Sequence, residues 1–429
     1  MTSLSDSRSV PPWFRQAKYG LFIHWGIYSL LERGEQTLYR EHLKPSAYRK
    51  LAERFRPRRF DPDDWAAAAR AAGMRYALFT TKHHDGFCMW DSATSDFTSA
   101  RTGLERDYVA AYVRAFRRAG LKVGLYFSTA DWSRPAYFEG PKRNAKGFAE
   151  FIRYTHRQVE ELCTNYGKID VLWFDGVWPY TAGEWRARKL LATIRRLQPG
   201  IIVNDRIGLA GDIATPEQSI PEQQFKPARP WESCMTSTES WWGYHAGVRW
   251  KTDGEAIRDL CRVVEVGGNL VYNVGPKPDG SLPREFKALM RKVGEWLRAN
   301  GEAVFGTTQT ICDTRTFGLM TCGKSTVYLH VLHWVARELH LAGLKNKVRS
   351  VRLLAGGRRL AFRQDAGHLY VTGLPPRAPD PRNTVIAVEV KGGPASCPWA
   401  RERIWTGATE KTQAHSQRVA GRLARWSRT

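Results

Sequence analysis

Ile169-Asp170-Val171-Leu172-Trp173-Phe174-Asp175 is a short apolar run that stops on a carboxylate. It is too short and too uniformly apolar for a surface helix, so it reads as a strand buried on both faces. Amphipathic stretches flank it, residues 145–166 before and 183–197 after. The same unit recurs along the chain. Further strand candidates are residues 20–24, 76–81, 122–128, 201–204 and 269–274. Helical stretches at 62–72, 107–119, 254–265 and 282–300 lie between them. Asp61-Pro62 and Leu282-Pro283 are good helix starts, because proline tolerates the first helical turn. Strands alternating with helices imply a parallel sheet covered on both faces. Six or more such units within about 300 residues favour an α/β fold of the (β/α)8-like, TIM type over residues 1–305. The first strand is not followed by Gly-x-Gly-x-x-Gly, and no phosphate loop appears, which weakens a nucleotide-binding open sheet.

After Gly306 the texture changes. Runs at 326–331, 348–354, 368–372 and 384–390 recur at short spacing, separated by Gly, Pro, Asn and Asp. This predicts a small antiparallel β-sandwich over residues 306–395. Residues 396–429 form an Arg-rich basic tail.

Composition narrows the function classes. Among 429 residues, 42% are apolar and 25% charged, which excludes wholesale disorder. Lys plus Arg is 66 against 42 Asp plus Glu, a net charge of +24 that raises nucleic acid or another polyanion as a partner. From Gly306 onward there are 20 Lys/Arg against 7 Asp/Glu, so the excess is densest in the β domain and tail. A charge run of that kind is usually a solvated surface, and nucleic acid is not the expected partner. No apolar stretch approaches 18 residues, so neither a membrane-spanning helix nor a membrane partner is expected. The start lacks an apolar signal core, and the seven scattered cysteines never form Cys-x-x-Cys. Both features fit a cytoplasmic protein with reduced thiols. The 17 Trp, 16 Tyr and 18 Phe point towards a pocket built of rings.

In a barrel, chemistry belongs at the C-terminal ends of strands. Those ends read His24-Trp25-Gly26, then Lys82-His83-His84-Asp85, then Tyr126-Phe127-Ser128 with Asp131-Trp132 just after. Trp173-Phe174-Asp175-Gly176 and Asn204-Asp205-Arg206 follow, and Thr215-Pro216-Glu217 comes soon after. Taken singly, each has a plain reading. His24 could be a hydrogen-bonded core residue, Asp175 a loop cap, Glu217 a solvated turn residue, and Arg206 a counter-ion for Asp205. Together they suit a sugar: rings stack on its C–H face, imidazole, guanidinium and phenol bind its hydroxyls, and two carboxylates supply glycosidase chemistry. Two other classes stay open. One is a metal-dependent hydrolase on the same barrel, with His24, His83, His84 and Asp175 as ligands. The other is a polyanion-binding protein with an incidental barrel.

Five ordered motifs add a resemblance. They are Phe14 through His24-Trp25-Gly26, Lys82 through Trp90, Trp173-Phe174-Asp175-Gly176, Asn204-Asp205-Arg206, and Gly267 through Gly280. In this order they resemble the α-L-fucosidases of glycoside hydrolase family 29, over about Trp13 to Gly306. The resemblance implies a retaining exo-glycosidase that acts on a fucosylated oligosaccharide or glycoconjugate, without cofactor or metal. It implies Asp175 as nucleophile and Glu217 as acid/base, with Glu232 of Trp231-Glu232-Ser233-Cys234 as second candidate. The fucose-binding set would be His24, His83, His84, Tyr126, Trp173 and Arg206. A second copy of the chain is the protein partner this reading allows. One departure stands out. Many members carry Glu-Trp-Tyr after strand one, where this chain reads Glu35-Gln36-Thr37-Leu38-Tyr39. Either Glu35 reaches the sugar from a shifted loop or another group replaces it.

Overall fold

The computed structural model describes residues 9–222, 229–311, 316–335 and 337–401. The chain divides into two compact units, Met1–Gly306 and Thr307–Thr429.

Among the described residues the first unit holds seven strands: β1 (Tyr19–Ile23), β2 (Tyr76–Lys82), β3 (Lys122–Ser128), β4 (Val171–Asp175), β5 (Ile202–Val203), β6 (Glu232–Thr236) and β7 (Asn269–Val274). They form one sheet in the order β5-β4-β3-β2-β1-β7-β6. Every pairing within it is parallel. The main helices are α1 (Pro62–Ala71), α2 (Tyr108–Arg118), α3 (Ala145–Thr164), α4 (Ala187–Leu197), α5 (Asp253–Glu265) and α6 (Arg284–Asn300). Their starts are chemically marked. The Asp61 carboxylate accepts from the Asp63 and Asp64 amides with Pro62 next in line, and Thr252 with Glu255 makes a reciprocal capping box.

The eightfold repeat expected from the sequence is not regular here. The described sheet has seven strands, and β5 is only two residues long. The segment around 212–217 carries isolated parallel bridges instead, Asn204↔Ile213 on one side and Ala214↔Trp231 and Glu217↔Cys234 on the other. Strand β6 was also not anticipated. Glu232-Ser233-Cys234-Met235-Thr236 is polar by composition, yet all five residues are buried.

Along parallel strands, side chains alternate between faces. Phe22, Tyr76, Leu78, Tyr126, Val171, Trp173, Cys234 and Val271 gather from six strands into one cluster. Register then sets what stands above it. Tyr126 pairs with Trp173, and Ser128 with Asp175, at the ends of β3 and β4. Because the strands run in the same direction, His24, His83, His84, Asp175 and Arg206 all emerge at one end of the sheet.

The second unit contains β8 (Gly318–Cys322), β9 (Thr326–Val331), β10 (Glu338–Ala342), β11 (Val348–Leu353), β12 (Ala361–Asp365), β13 (His368–Thr372) and β14 (Thr384–Val390). They form a three-stranded sheet, β10-β13-β12, and a four-stranded sheet, β11-β14-β9-β8. All pairings are antiparallel. Leu339, Leu341, Leu369 and Val371 of one sheet share a core with Leu329, Val351, Ile386 and Val388 of the other. Most of the basic tail, 402–429, lies outside the described residues. The six described cysteines form no disulfide, and no described helix is long and apolar enough to cross a membrane.

Candidate active site

A cavity of about 140 Å³ opens at the strand ends. Its lining includes His24, His83, His84, Tyr126, Trp173, Asp175, Arg206 and Glu217. All eight of these residues were singled out in the sequence.

Asp175 ends β4 with its side chain 13% exposed. Its Oδ2 accepts a hydrogen bond from the Tyr126 hydroxyl at 2.8 Å and lies 3.7 Å from His84 Nε2. Its Oδ1 accepts from Arg206 Nη1 at 3.3 Å. The same Nη1 donates to Glu217 Oε2 at 2.8 Å. One nitrogen thus holds both carboxylates, so these two oxygens lie within about 6 Å of each other. Arg206 is itself fixed. Its Nε donates to Thr215 Oγ1 and its Nη2 to the Thr215 carbonyl, and its guanidinium lies 4.7 Å from the Trp173 ring centre.

The histidines are neutral hydrogen-bonding groups. Burial pushes His24 down to about 3, and burial also lowers His83 and His84, the latter against the pull of Asp175. Their tautomers follow from their partners. Asn273 donates through Nδ2 to the Trp242 carbonyl, so its Oδ1, 2.7 Å away, accepts from His24 Nδ1. Ser128 donates to the Ala130 carbonyl, so its Oγ accepts from His84 Nδ1 at 2.7 Å. Each ring is left with Nε2 as an acceptor. His83 Nδ1 is buried without a protein hydrogen-bond partner, which fits a group kept for a ligand hydroxyl.

Glu232 is placed elsewhere. It is fully buried and absent from the cavity lining. Its two oxygens accept from the Tyr76 hydroxyl at 2.7 Å and Trp173 Nε1 at 2.8 Å, and burial raises it to about 7. It supports the ring on which Arg206 lies. Glu35 is also turned away. Its carboxylate accepts from the Trp242 and Gly243 amides at 3.1 and 2.8 Å, while Gln36 lines the cavity. The Glu35 carboxylate is therefore not part of the described cavity lining, where its neighbour Gln36 stands.

Phe22, Gln36, Trp178, Cys234 and Trp242 complete the lining, and none was singled out for the site from the sequence. Asn273, which orients His24, sits inside the 267–280 motif, so its stretch carried a signal though the residue did not. As for the metal reading, no group of three or more His, Cys, Asp or Glu among the described residues is placed to share an ion.

The α-L-fucosidase family profile matches residues 1–302. The chain belongs to the α-L-fucosidase family. It is 31% identical over 419 residues to the tissue α-L-fucosidase of Mus musculus, covering 90% of this chain and 91% of that one. It is 31% identical to the human tissue enzyme over 359 residues, 77% of each chain. Among solved structures, α-L-fucosidase isoenzyme 1 from Paenibacillus thiaminolyticus superposes with a TM-score of 0.82 at 38% identity, covering 88% of this chain and 98% of that one. A family 29 α-L-fucosidase from Bacteroides thetaiotaomicron, trapped as a covalent intermediate with 2-fluoro-fucosyl fluoride, gives 0.84 at 28% identity, over 91% and 100%.

Proposed function

We infer that this glycoside hydrolase is a retaining, exo-acting α-L-fucosidase that releases terminal α-L-fucosyl residues from glycans by double displacement. The observation that carries the reading is the pair Asp175 and Glu217 held by one guanidinium nitrogen. Asp175 attacks the anomeric carbon, and the bond to the aglycone oxygen breaks as Glu217 gives that oxygen a proton. Glu217 then takes a proton from water, whose oxygen attacks the same carbon and frees the Asp175 carboxylate. Asp175 receives hydrogen bonds from Tyr126 and Arg206 that aim its carboxylate into the cavity, and Glu217 receives one from Arg206. The Arg206 guanidinium is paired with the Asp175 and Glu217 carboxyl groups and burial disfavours charge on the histidines, so the site has no surplus of positive charge to oppose the developing oxocarbenium. His24 and His84 accept sugar hydroxyls through Nε2, and Trp173 and Trp242 give the ring apolar faces.

The bridges of residues 212–217 to both edges of the sheet support reading that segment as the link that completes an irregular TIM-type barrel and delivers Glu217 to the cavity.

The test is Asp175→Gly. The variant is expected to fold, lose nearly all turnover, and regain part of it with azide, giving the inverted β-fucosyl azide by NMR. More than a tenth of wild-type rate without azide would sink the assignment of Asp175.

A further inference from the structure

One sugar ring accounts for the walls of the cavity but not for its rim. Trp178 is 52% exposed, and its ring meets the His84 ring near edge-on at 5.4 Å between centroids. The Trp132 ring lies 5.0 Å from the same imidazole. Tyr39, 58% exposed, tilts against Trp132 at 5.2 Å and 33°. Large apolar side chains left in water are usually scattered, and a cluster of them marks an interaction site. In the described part of the first unit, the exposed large apolar residues are Tyr39, Leu104, Phe138 and Trp178. Two of these four connect to the imidazole beside Asp175, directly or through one ring.

The platform is also held in place. The Trp178 carbonyl accepts from the Tyr137 hydroxyl at 2.8 Å, and the neighbouring Val177 carbonyl accepts from Trp185 Nε1. Tyr39 sits on a single helical turn, Thr37–Arg40, directly after Gln36 of the cavity lining. One short segment therefore serves both cavity and rim. Rings carried on a backbone already tied down lose less freedom when a partner arrives.

The reaction says what must lie there. With the fucosyl ring in the cavity, the leaving group projects towards Glu217, whose side chain is 42% exposed. We propose that Tyr39, Trp132 and Trp178 form an aglycone subsite that stacks on the neutral pyranose next to the terminal fucose. This rests on the fucosidase reading above. The three rings carry no charge, and their faces match the C–H face of a sugar rather than a peptide or an anionic group. The chain thereby favours fucose attached to another sugar ring over fucose on a small leaving group.

The experiment compares α-L-fucosyl fluoride, which has no aglycone ring, with the best-cleaved member of a panel of fucosyl disaccharides. Tyr39 is outside the cavity lining, so Tyr39→Ala is expected to leave kcat/KM for the fluoride within about twofold while lowering that for the disaccharide about tenfold, mainly through KM. Tyr39→Phe keeps the ring and is expected to restore the disaccharide value. Equal losses on both substrates, an unchanged disaccharide value, or failure of Phe to rescue would each overturn the subsite. Wild-type protein that cleaves neither substrate would instead overturn the fucosidase reading and the subsite with it.

Discussion

Two glutamates compete for the acid/base role, and their surroundings predict opposite responses to truncation. Glu217 has a 42% exposed side chain whose partner is Arg206. Glu217→Ala should therefore change stability by no more than about 0.5 kcal/mol, as surface substitutions usually do. Its cost falls on chemistry, about 10²- to 10⁴-fold where the leaving oxygen needs a proton. Fucosyl fluoride needs that help far less and should lose about tenfold or less. Glu232 is fully buried between the Tyr76 hydroxyl and Trp173 Nε1. Glu232→Ala strands two buried donors at about 1–3 kcal/mol each, roughly 2–6 kcal/mol together. At about 2–4 °C per kcal/mol, the melting temperature should drop by roughly 5–20 °C. Any residual activity should fall equally on the fluoride and the disaccharide, since Glu232 acts through Trp173 and Arg206. The assay pairs thermal denaturation with kcat/KM on both substrates. A Glu232→Ala protein with an unchanged melting temperature and a loss confined to the disaccharide would refute the argument.

The remaining expectations concern stability and positioning. Burial raises Glu232 from the ordinary carboxylate value of 4.5 to about 7, so between these values the native state keeps a proton that the unfolded chain gives up. Its contribution is whole below about pH 4.5 and is lost as pH rises through about 7, at most about 3 kcal/mol. Urea unfolding of wild type and Glu232→Gln at pH 5 and pH 8 checks this, and the variant should show a smaller decline. Some decline remains, because burial raises Asp85 to about 7 in the same way. Asn273→Ala removes the acceptor that sets the His24 tautomer and should lower kcat/KM about 10-fold or more, by analogy with other groups that orient a functional histidine. An Asn273→Ala enzyme with wild-type kcat/KM would show that the contact is dispensable.

Strands β3 and β7 fall where the sequence places them, at 122–128 and 269–274. A strand buried on both faces must be apolar almost throughout, and that shows in composition alone. Strand β6 escaped because Glu232, Ser233 and Thr236 are buried polar residues whose partners come from distant segments: Tyr76 and Trp173 for Glu232, the Ser219 carbonyl for Ser233, and Gln218 for Thr236. Strand β12 escaped for the opposite reason. Ala361–Asp365 buries little, so no apolar pattern marks it.

The same division runs through the site. Residue types at strand ends, with the order of five motifs, were enough for the family, the reaction class and eight members of the cavity lining. These depend on local periodicity and on chemistry carried by single side chains. Which glutamate lines the cavity was beyond the sequence. Glu217 and Glu232 are both acids downstream of the Asn204-Asp205-Arg206 motif, and only the chain path lays one beside Arg206 and the other beneath Trp173. Glu35 and Gln36 are neighbours in sequence, yet one is tied to the Trp242 and Gly243 amides and the other opens onto the cavity. A carboxylate's role depends on which donors surround it, and donors more than a hundred residues away are brought there by tertiary structure alone.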